Sequence, residues 1–292
     1  MKENPWAQAA PRNAFELATG EYAQLRPAYP FSSVLAALLG DTEIPEGATS
    51  TNWQISDLQH EKLASLEVAD IGAGTGIFTA QAAPLVKQIV AVEPAEAMRI
   101  QCETHLAQTH PTLSNWSVTR GSGENTGLET ASQDVLVFAQ CWHWMNVEKT
   151  VQEAARVLRA GGHLAIIFNQ LDVSVPWVKR LARIMRSGDV QTAERPPELT
   201  ANYHAGQGSY PQGKSEELFK KPKLHQVKFQ TQLSCEQIIG LARTRSAYLK
   251  ATPQYQARMQ ENLRWYLYEH LGYSPTQKVS IPYYTLTWIA NK

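Results

Sequence analysis

Asp70-Ile71-Gly72-Ala73-Gly74-Thr75-Gly76-Ile77-Phe78 is the stretch that decides the fold. Leu66 to Ile71 before the glycines alternates as a strand does, and Phe78 to Val86 after them reads as a helix. Glycines at such a junction let the backbone turn sharply and approach a ligand, and the helix N-terminus favours negative charge. Glu93 closes the next apolar run, Gln88 to Val92, about twenty residues on, where a carboxylate can accept hydrogen bonds from ribose hydroxyls. The spacing bears on the ligand. A dinucleotide fingerprint has its third glycine three residues after the second. Here the third follows after two, and Ile77 stands where the fingerprint wants glycine. Asp70 also sets a carboxylate where a pyrophosphate would be repelled and an amino group would be welcome.

Outward from this junction, short apolar runs alternate with helical periodicity. Ala95 to Gln108 is a helix with Met98, Cys102 and Leu106 four apart on one face. Trp116 to Thr119 is a weak strand and Asp134 to Ala139 a strong one. Asn146 caps a helix that carries Val147, Val151, Ala154 and Leu158 on one side, with Arg156 and Arg159 near its negative end and Gly161-Gly162 closing it. His163 to Phe168 is a fifth strand. Such alternation predicts a parallel sheet covered on both faces. Upstream, a helical entry segment breaks at Arg26-Pro27-Ala28-Tyr29-Pro30, and Phe31 to Leu39 is an apolar helix stopped by Gly40. Asp41 to Glu61 lacks periodicity and reads as a loop. Downstream, Pro176 to Arg186 is helical and Gly188 to Gly213 irregular. Val227 to Leu233 is a strand, Cys235 to Leu249 and Gln256 to Leu271 are helices, and Val279 to Ile289 is a last strand.

The 292 residues carry 27 basic and 27 acidic side chains, which argues against binding nucleic acid by phosphate neutralisation. Cys102, Cys141 and Cys235 are too few and too scattered for a disulfide scaffold or zinc ribbon, so no metal is expected and a reducing, cytoplasmic location fits. No run of eighteen or more apolar residues occurs, and Met1 to Ala10 lacks the apolar centre of a signal peptide, so no membrane partner is expected.

The loop, the early third glycine and the acid together resemble the class I S-adenosylmethionine-dependent methyltransferases. The nearest type is the small-molecule group of the ubiquinone/menaquinone-biosynthesis and trans-aconitate enzymes. Further segments match in the same order: Tyr22 to Pro30, Gly121 to Leu128, Gln140-Cys141-Trp142-His143-Trp144, and Arg156 to Gly162. The resemblance implies an α/β fold: a Rossmann-like, seven-stranded, mostly parallel sheet with helices on both faces, the last strand antiparallel. A lid would come from the N-terminus and from an insertion after the fifth strand. It implies a single domain over 1–292, divided into an N-terminal cap (1–40), a loop (41–61), a cofactor-binding core (62–170), a lid insertion (171–225) and a segment that completes the sheet (226–292).

The cofactor implied is S-adenosyl-L-methionine. By resemblance Gly72, Ala73, Gly74 and Gly76 would lie against its methionine and ribose, Asp70 near its amino group, and Glu93 on the ribose hydroxyls. Pro94 and Met98 would flank the adenine. Ser122 stands where the family often has an aspartate on the adenine amino group. The amide of Gly123 would face a ring nitrogen, with Glu124 beside it. Gln140 would sit beneath the sulfonium, and Tyr22 and Arg26 would close over the cofactor.

Methyl transfer from a sulfonium is an in-line displacement, so orientation can supply roughly 7–11 kcal/mol. A general base is required only for an acceptor that arrives protonated, and His143, just past the fourth strand, is the catalytic candidate. Trp142, His143, Trp144, Trp177, Arg245 and Tyr248 could contact a small-molecule acceptor, with packing or solvation the alternative for each. Two other readings stay open: a nicotinamide-dependent oxidoreductase on a related sheet, and a non-catalytic S-adenosylmethionine-binding protein.

Overall fold

A computed structural model describes residues 25–47, 55–187, 192–199 and 218–292. Tyr22 and parts of the expected loop and lid lie outside these residues. The described chain forms two compact units: residues 29–168, 192–199, 218–227 and 286–292 in one, and 25–28, 169–187 and 228–285 in the other. The family resemblance implies one domain with a lid insertion over 171–225; the second unit draws residues from three separate stretches.

Seven strands form one sheet: β1 (Glu67–Ile71), β2 (Gln88–Val92), β3 (Trp116–Thr119), β4 (Gln133–Ala139), β5 (Leu158–Leu171), β6 (Lys223–Ser234) and β7 (Lys278–Asn291). Their order is β3-β2-β1-β4-β5-β7-β6. The β1/β2, β1/β4, β2/β3 and β4/β5 pairs are parallel. The chain leaves β1 in one direction, through β2 to β3, and returns on its other side with β4. That reversal opens a crevice at the carboxyl ends of β1 and β4, the place where ligands bind in open α/β sheets.

The first unit's helices are α1 (Phe31–Leu39), α2 (Asp57–Ser65), α3 (Ile77–Ala82), α4 (Glu96–Thr109) and α5 (Val147–Val157). Helix α1 is buried from Ser32 to Leu39 and ends at left-handed Gly40, as its pattern predicts. Helix α5 begins where the Asn146 side chain accepts from the Lys149 amide. Val68, Phe78, Val135, Ala165 and Ile167 join α1 residues such as Val34 and Leu38 in one core, each contributing about 1.5–3 kcal/mol by burial, alanine less.

The second unit holds α6 (Pro176–Ile184), α7 (Cys235–Arg243), α8 (Ser246–Leu249) and α9 (Pro253–Arg264), with a π-helical turn over Trp265–His270. Its separate core includes Val178, Leu181, Ile238, Leu263, Tyr266 and Tyr283.

The helix expected over Cys235 to Leu249 is two, Cys235–Arg243 and Ser246–Leu249, and three further departures lie in the first unit. Asp57–Ser65 is helical where absent periodicity reads as loop, because Ser56 and Gln59 form a reciprocal capping box. Pro84 falls in a 3-10 turn over Ala83–Leu85, so α3 stops at Ala82 and not at Val86. Strand β5 starts at Leu158, before the glycines expected to close the helix, with a register shift where it meets β4.

Candidate functional site

The glycine loop leaves β1 at Ile71 and enters α3 at Ile77. Gly72, Gly74 and Gly76 all adopt left-handed backbone, with φ of 68°, 57° and 79°. A side chain would be strained at each of the three, but the space around them differs. A Cβ on Gly72 would stand 2.9 Å from the Cys141 Cβ, and one on Gly76 would stand 2.6 Å from the Cys102 Sγ. Those two glycines let the loop pack on the end of β4 and on α4. A Cβ on Gly74 would meet nothing within 4 Å. Gly74 is therefore where the loop faces open space.

Glu93, at the tip of β2, holds that loop in place. Its Oε2 accepts from the Gly74 amide at 2.9 Å and its Oε1 from the Ala95 amide at 2.9 Å. A carboxylate has about four acceptor positions, so both oxygens keep capacity for a ligand's hydroxyls. Burial pushes the Glu93 carboxyl above its ordinary range, opposed by the Ala95 and Gly74 amides and by the charge of Arg99. Arg99 itself donates to the carbonyls of Glu93 and Pro94.

Asp70 is turned inward. It is fully buried, and its Oδ2 accepts from the Thr79 Oγ1 at 2.6 Å. Its other oxygen has no partner among the described residues. Burial raises its carboxyl to about 7, with Thr79 opposing and the charge of Glu93 adding to the rise. In this arrangement Asp70 braces the loop from beneath through α3.

The remaining segments close around the crevice. The Ser122 and Asn125 backbones bond reciprocally, at 2.9 Å and 3.2 Å. Glu153 anchors the same turn by accepting from the Thr126 amide and hydroxyl, and Arg156 holds its carboxyl down at about 2. A Cβ on Gly123 would collide with the Met145 Sδ at 2.5 Å, so glycine there permits close packing. Glu124 accepts from the Asn146 amide at 2.8 Å and so serves the start of α5. Met98 is buried on α4, and Pro94 is half-buried at the tip of β2.

Beyond β4 the chain is forced into an uncommon shape. Gln140 has φ of 62°, left-handed for a residue other than glycine, and its amide bonds the Ile167 carbonyl at 2.8 Å. The Cys141 Sγ donates to the Ile71 carbonyl at 2.9 Å, tying the ends of β1 and β4 together. A 3-10 turn over Trp142–Trp144 follows. Trp142 is buried edge-on to Phe138 at 4.9 Å, a core position. His143 is exposed, with its ring 4.7 Å from that of Trp144 and 6.0 Å from that of Phe168.

The first unit thus gathers Asp70, the three glycines with Ala73, Glu93, Pro94, Met98, Ser122 to Glu124, and Gln140 to Trp144. Arg26, Trp177, Arg245 and Tyr248 belong to the second unit. There Arg26 donates to the hydroxyl and carbonyl of buried Thr244, and Arg245 donates to the Ser187 hydroxyl at 2.5 Å. The Trp177 carbonyl accepts from Tyr266 and the Tyr248 carbonyl from Gln256. Thr79, Glu153 and Met145 also support the site. Thr79 carried a signal, a hydroxyl in the first turn after the glycine loop; the other two become visible only once packing is known.

Among the described residues no group of His, Cys, Asp and Glu could hold a metal ion, and no helix is long and apolar enough to cross a membrane. All three cysteines are free and buried.

Residues 69–166 match the family model described as a methyltransferase domain. A Mycobacterium tuberculosis protein (strain H37Rv), described as an uncharacterized methyltransferase, is 28% identical over 275 residues, covering 94% of this chain and 93% of that one. A candidate S-adenosylmethionine-dependent methyltransferase of Saccharomyces cerevisiae is 24% identical over 150 residues, 51% of this chain and 45% of that protein. Among solved structures, a candidate type II methyltransferase from Anaeromyxobacter dehalogenans shares the fold with a TM-score of 0.53 at 19% identity, covering 90% of this chain and 97% of that one.

Proposed function

We propose, from the premise that this chain is a class I S-adenosylmethionine-dependent methyltransferase, that it methylates a small, partly apolar acceptor in the cytoplasm. The observation that carries the reading is the contact between Glu93 and Gly74. It fixes the one glycine that faces open space beside a carboxylate with acceptor capacity to spare. That pairing suits a ribose lying across the loop. The third glycine, at Gly76, follows Gly74 by two residues where a dinucleotide fingerprint wants three, and it packs against Cys102.

S-adenosylmethionine supplies, when bound, a methyl group on a positively charged sulfur that needs no further activation. This chain's part is to bind and orient. Glu93 would accept from both ribose hydroxyls, Pro94 and Met98 would bound the adenine, and the amide of Gly123 would face a ring nitrogen. Asp70 would act from below, through Thr79 and the loop, and not by direct contact. Gln140, held in left-handed backbone at the end of β4, would set the floor beneath the sulfur.

His143 is the residue placed to meet an acceptor. It is exposed, and the Trp144 ring beside it offers an apolar surface. An acceptor bearing a phenol, enol or acid could lose its proton there. The experiment is turnover of S-adenosylmethionine to S-adenosylhomocysteine against a panel of small phenols, acids and amines, with tRNA and a basic peptide as comparators. Turnover with a small compound supports the proposal, and turnover with only the macromolecules would overturn it.

A further inference from the structure

The neutral balance of the whole chain conceals an uneven distribution. Among its described residues the second unit carries twelve lysines and arginines against four acids. Five of those cations collect on neighbouring elements. Lys179, Arg180 and Arg183 lie on α6, Arg186 follows it, and Arg258 projects from α9. All five are exposed, while α6 buries Val178, Leu181 and Ala182 on its other side. None of the five forms an ion pair with a described residue, Glu261 on α9 included. Like charges three and four residues apart disfavour a helix, so the stability of α6 does not explain the cluster.

The cluster lines concave space. A cleft of about 750 Å³ is bounded by Lys179, Arg180 and Arg183, with Ser174 and the apolar Ile184. Arg183 and Ile184 also line a second cleft, of about 290 Å³, with Arg186, Arg258 and Asn262. Two of the guanidinium groups are already positioned. Arg180 lies over the Trp265 and Tyr266 rings at 5.4 Å and 5.2 Å, and Arg186 lies over Tyr255 at 4.5 Å. A guanidinium resting on an aromatic face loses little freedom when it meets an oxyanion.

We propose that these adjoining clefts bind a small polyanion, one that carries two or more phosphate or carboxylate groups and bridges Lys179, Arg180 and Arg183 to Arg186 and Arg258. The larger volume suits a small molecule. An anionic membrane is disfavoured because the apolar face of α6 is buried in the core and cannot insert. Single-stranded nucleic acid is disfavoured because the aromatic faces that would stack bases already carry guanidinium groups. The site goes beyond methyl transfer and stands or falls apart from it.

The test is calorimetric titration of the full chain at low salt with inorganic pyrophosphate and, separately, with citrate. It compares the wild type, Arg183→Gln and, as a control elsewhere on the same unit, Lys278→Gln. The expected result is saturable one-to-one binding of at least one probe, weakened about tenfold or more by Arg183→Gln as a charge-assisted pair is lost, and unchanged by Lys278→Gln. Whichever probe binds more tightly assigns phosphate or carboxylate. Arg183 is exposed, so its replacement leaves the fold intact, which circular dichroism verifies. No saturable binding of either probe overturns the proposal. So does equal weakening by both variants, which would mean diffuse charge. Tighter, Arg183-dependent binding of an oligonucleotide or of phosphatidylserine vesicles would also overturn it.

Discussion

Replacing Asp70 with asparagine should remove a pH-dependent loss of stability that the wild-type chain carries. The Asp70 carboxyl is raised from its ordinary 3.8 to about 7, chiefly by burial. Between those values the folded chain keeps a proton that the unfolded chain has released, so folding becomes less favourable as pH rises through the window. The slope is about 1.4 kcal/mol per pH unit, and the window from 3.8 to about 7 gives about 4 kcal/mol in all, levelling off above it. Asparagine does not titrate, and its side-chain oxygen can still accept from the Thr79 hydroxyl. Its amide group replaces an oxygen that already lacks a partner, an offset of about 1–3 kcal/mol that does not vary with pH. Groups remote from Asp70 titrate alike in both proteins and cancel in the difference, and Glu93, whose charge adds to the Asp70 rise, is the one coupled neighbour in the window. Urea unfolding of the two proteins side by side, from about pH 4 to about pH 8, isolates the effect. The variant's stability relative to wild type should rise by about 4 kcal/mol across that range and then stay constant. A difference that is flat with pH would refute the reasoning, because it would mean that Asp70 is ionised inside the fold.

Glu93→Ala should weaken binding of S-adenosylhomocysteine by at least about a hundredfold in calorimetry, since two charge-assisted bonds at about 1.5–3 kcal/mol each are lost, while unchanged affinity would remove Glu93 from the site. Gly76→Ala should lower urea stability by about 2–5 kcal/mol, from left-handed strain plus overlap with Cys102. Gly74→Ala, free of overlap, should lower it by only about 1–2 kcal/mol yet weaken cofactor binding, and equal losses of stability would contradict the packing difference. His143→Ala should leave stability within about 0.5 kcal/mol and, with an acceptor that must lose a proton, reduce turnover about a hundredfold; unaltered turnover with such an acceptor would leave His143 a packing role.

What the sequence disclosed depended on how strongly the physics constrained each residue type. Buried parallel strands must be apolar, so β1, β2, β4 and the later part of β5 stand out from the residue pattern alone. The turn at the glycine loop was legible for a chemical reason, because few residues tolerate its left-handed backbone, and the acid that ends β2 stood out beside it. Helix α2 was not legible by periodicity. Leu58 is largely exposed and Leu63 is the only residue it buries, although the Ser56–Gln59 capping box was written in the sequence. The differing duties of Gly72, Gly74 and Gly76 were equally hidden, since they depend on Cys141 and Cys102, which arrive from distant parts of the chain. The position of Asp70 before the loop was legible, but its burial and its bond from the Thr79 hydroxyl depend on α3 packing beneath the loop. The second unit escaped notice because its core is assembled from three separate stretches.

The proposed function turns on whether the crevice at the carboxyl ends of β1 and β4, beside Glu93 at the tip of β2, takes an adenosyl sulfonium. Titration calorimetry of the intact chain with S-adenosylhomocysteine, repeated with reduced nicotinamide dinucleotide, tests it most directly. The account predicts one saturable site for S-adenosylhomocysteine, abolished or greatly weakened in Glu93→Ala, and no heat of binding from the dinucleotide. Saturable binding of the dinucleotide, or of neither compound to well-folded protein, would contradict it.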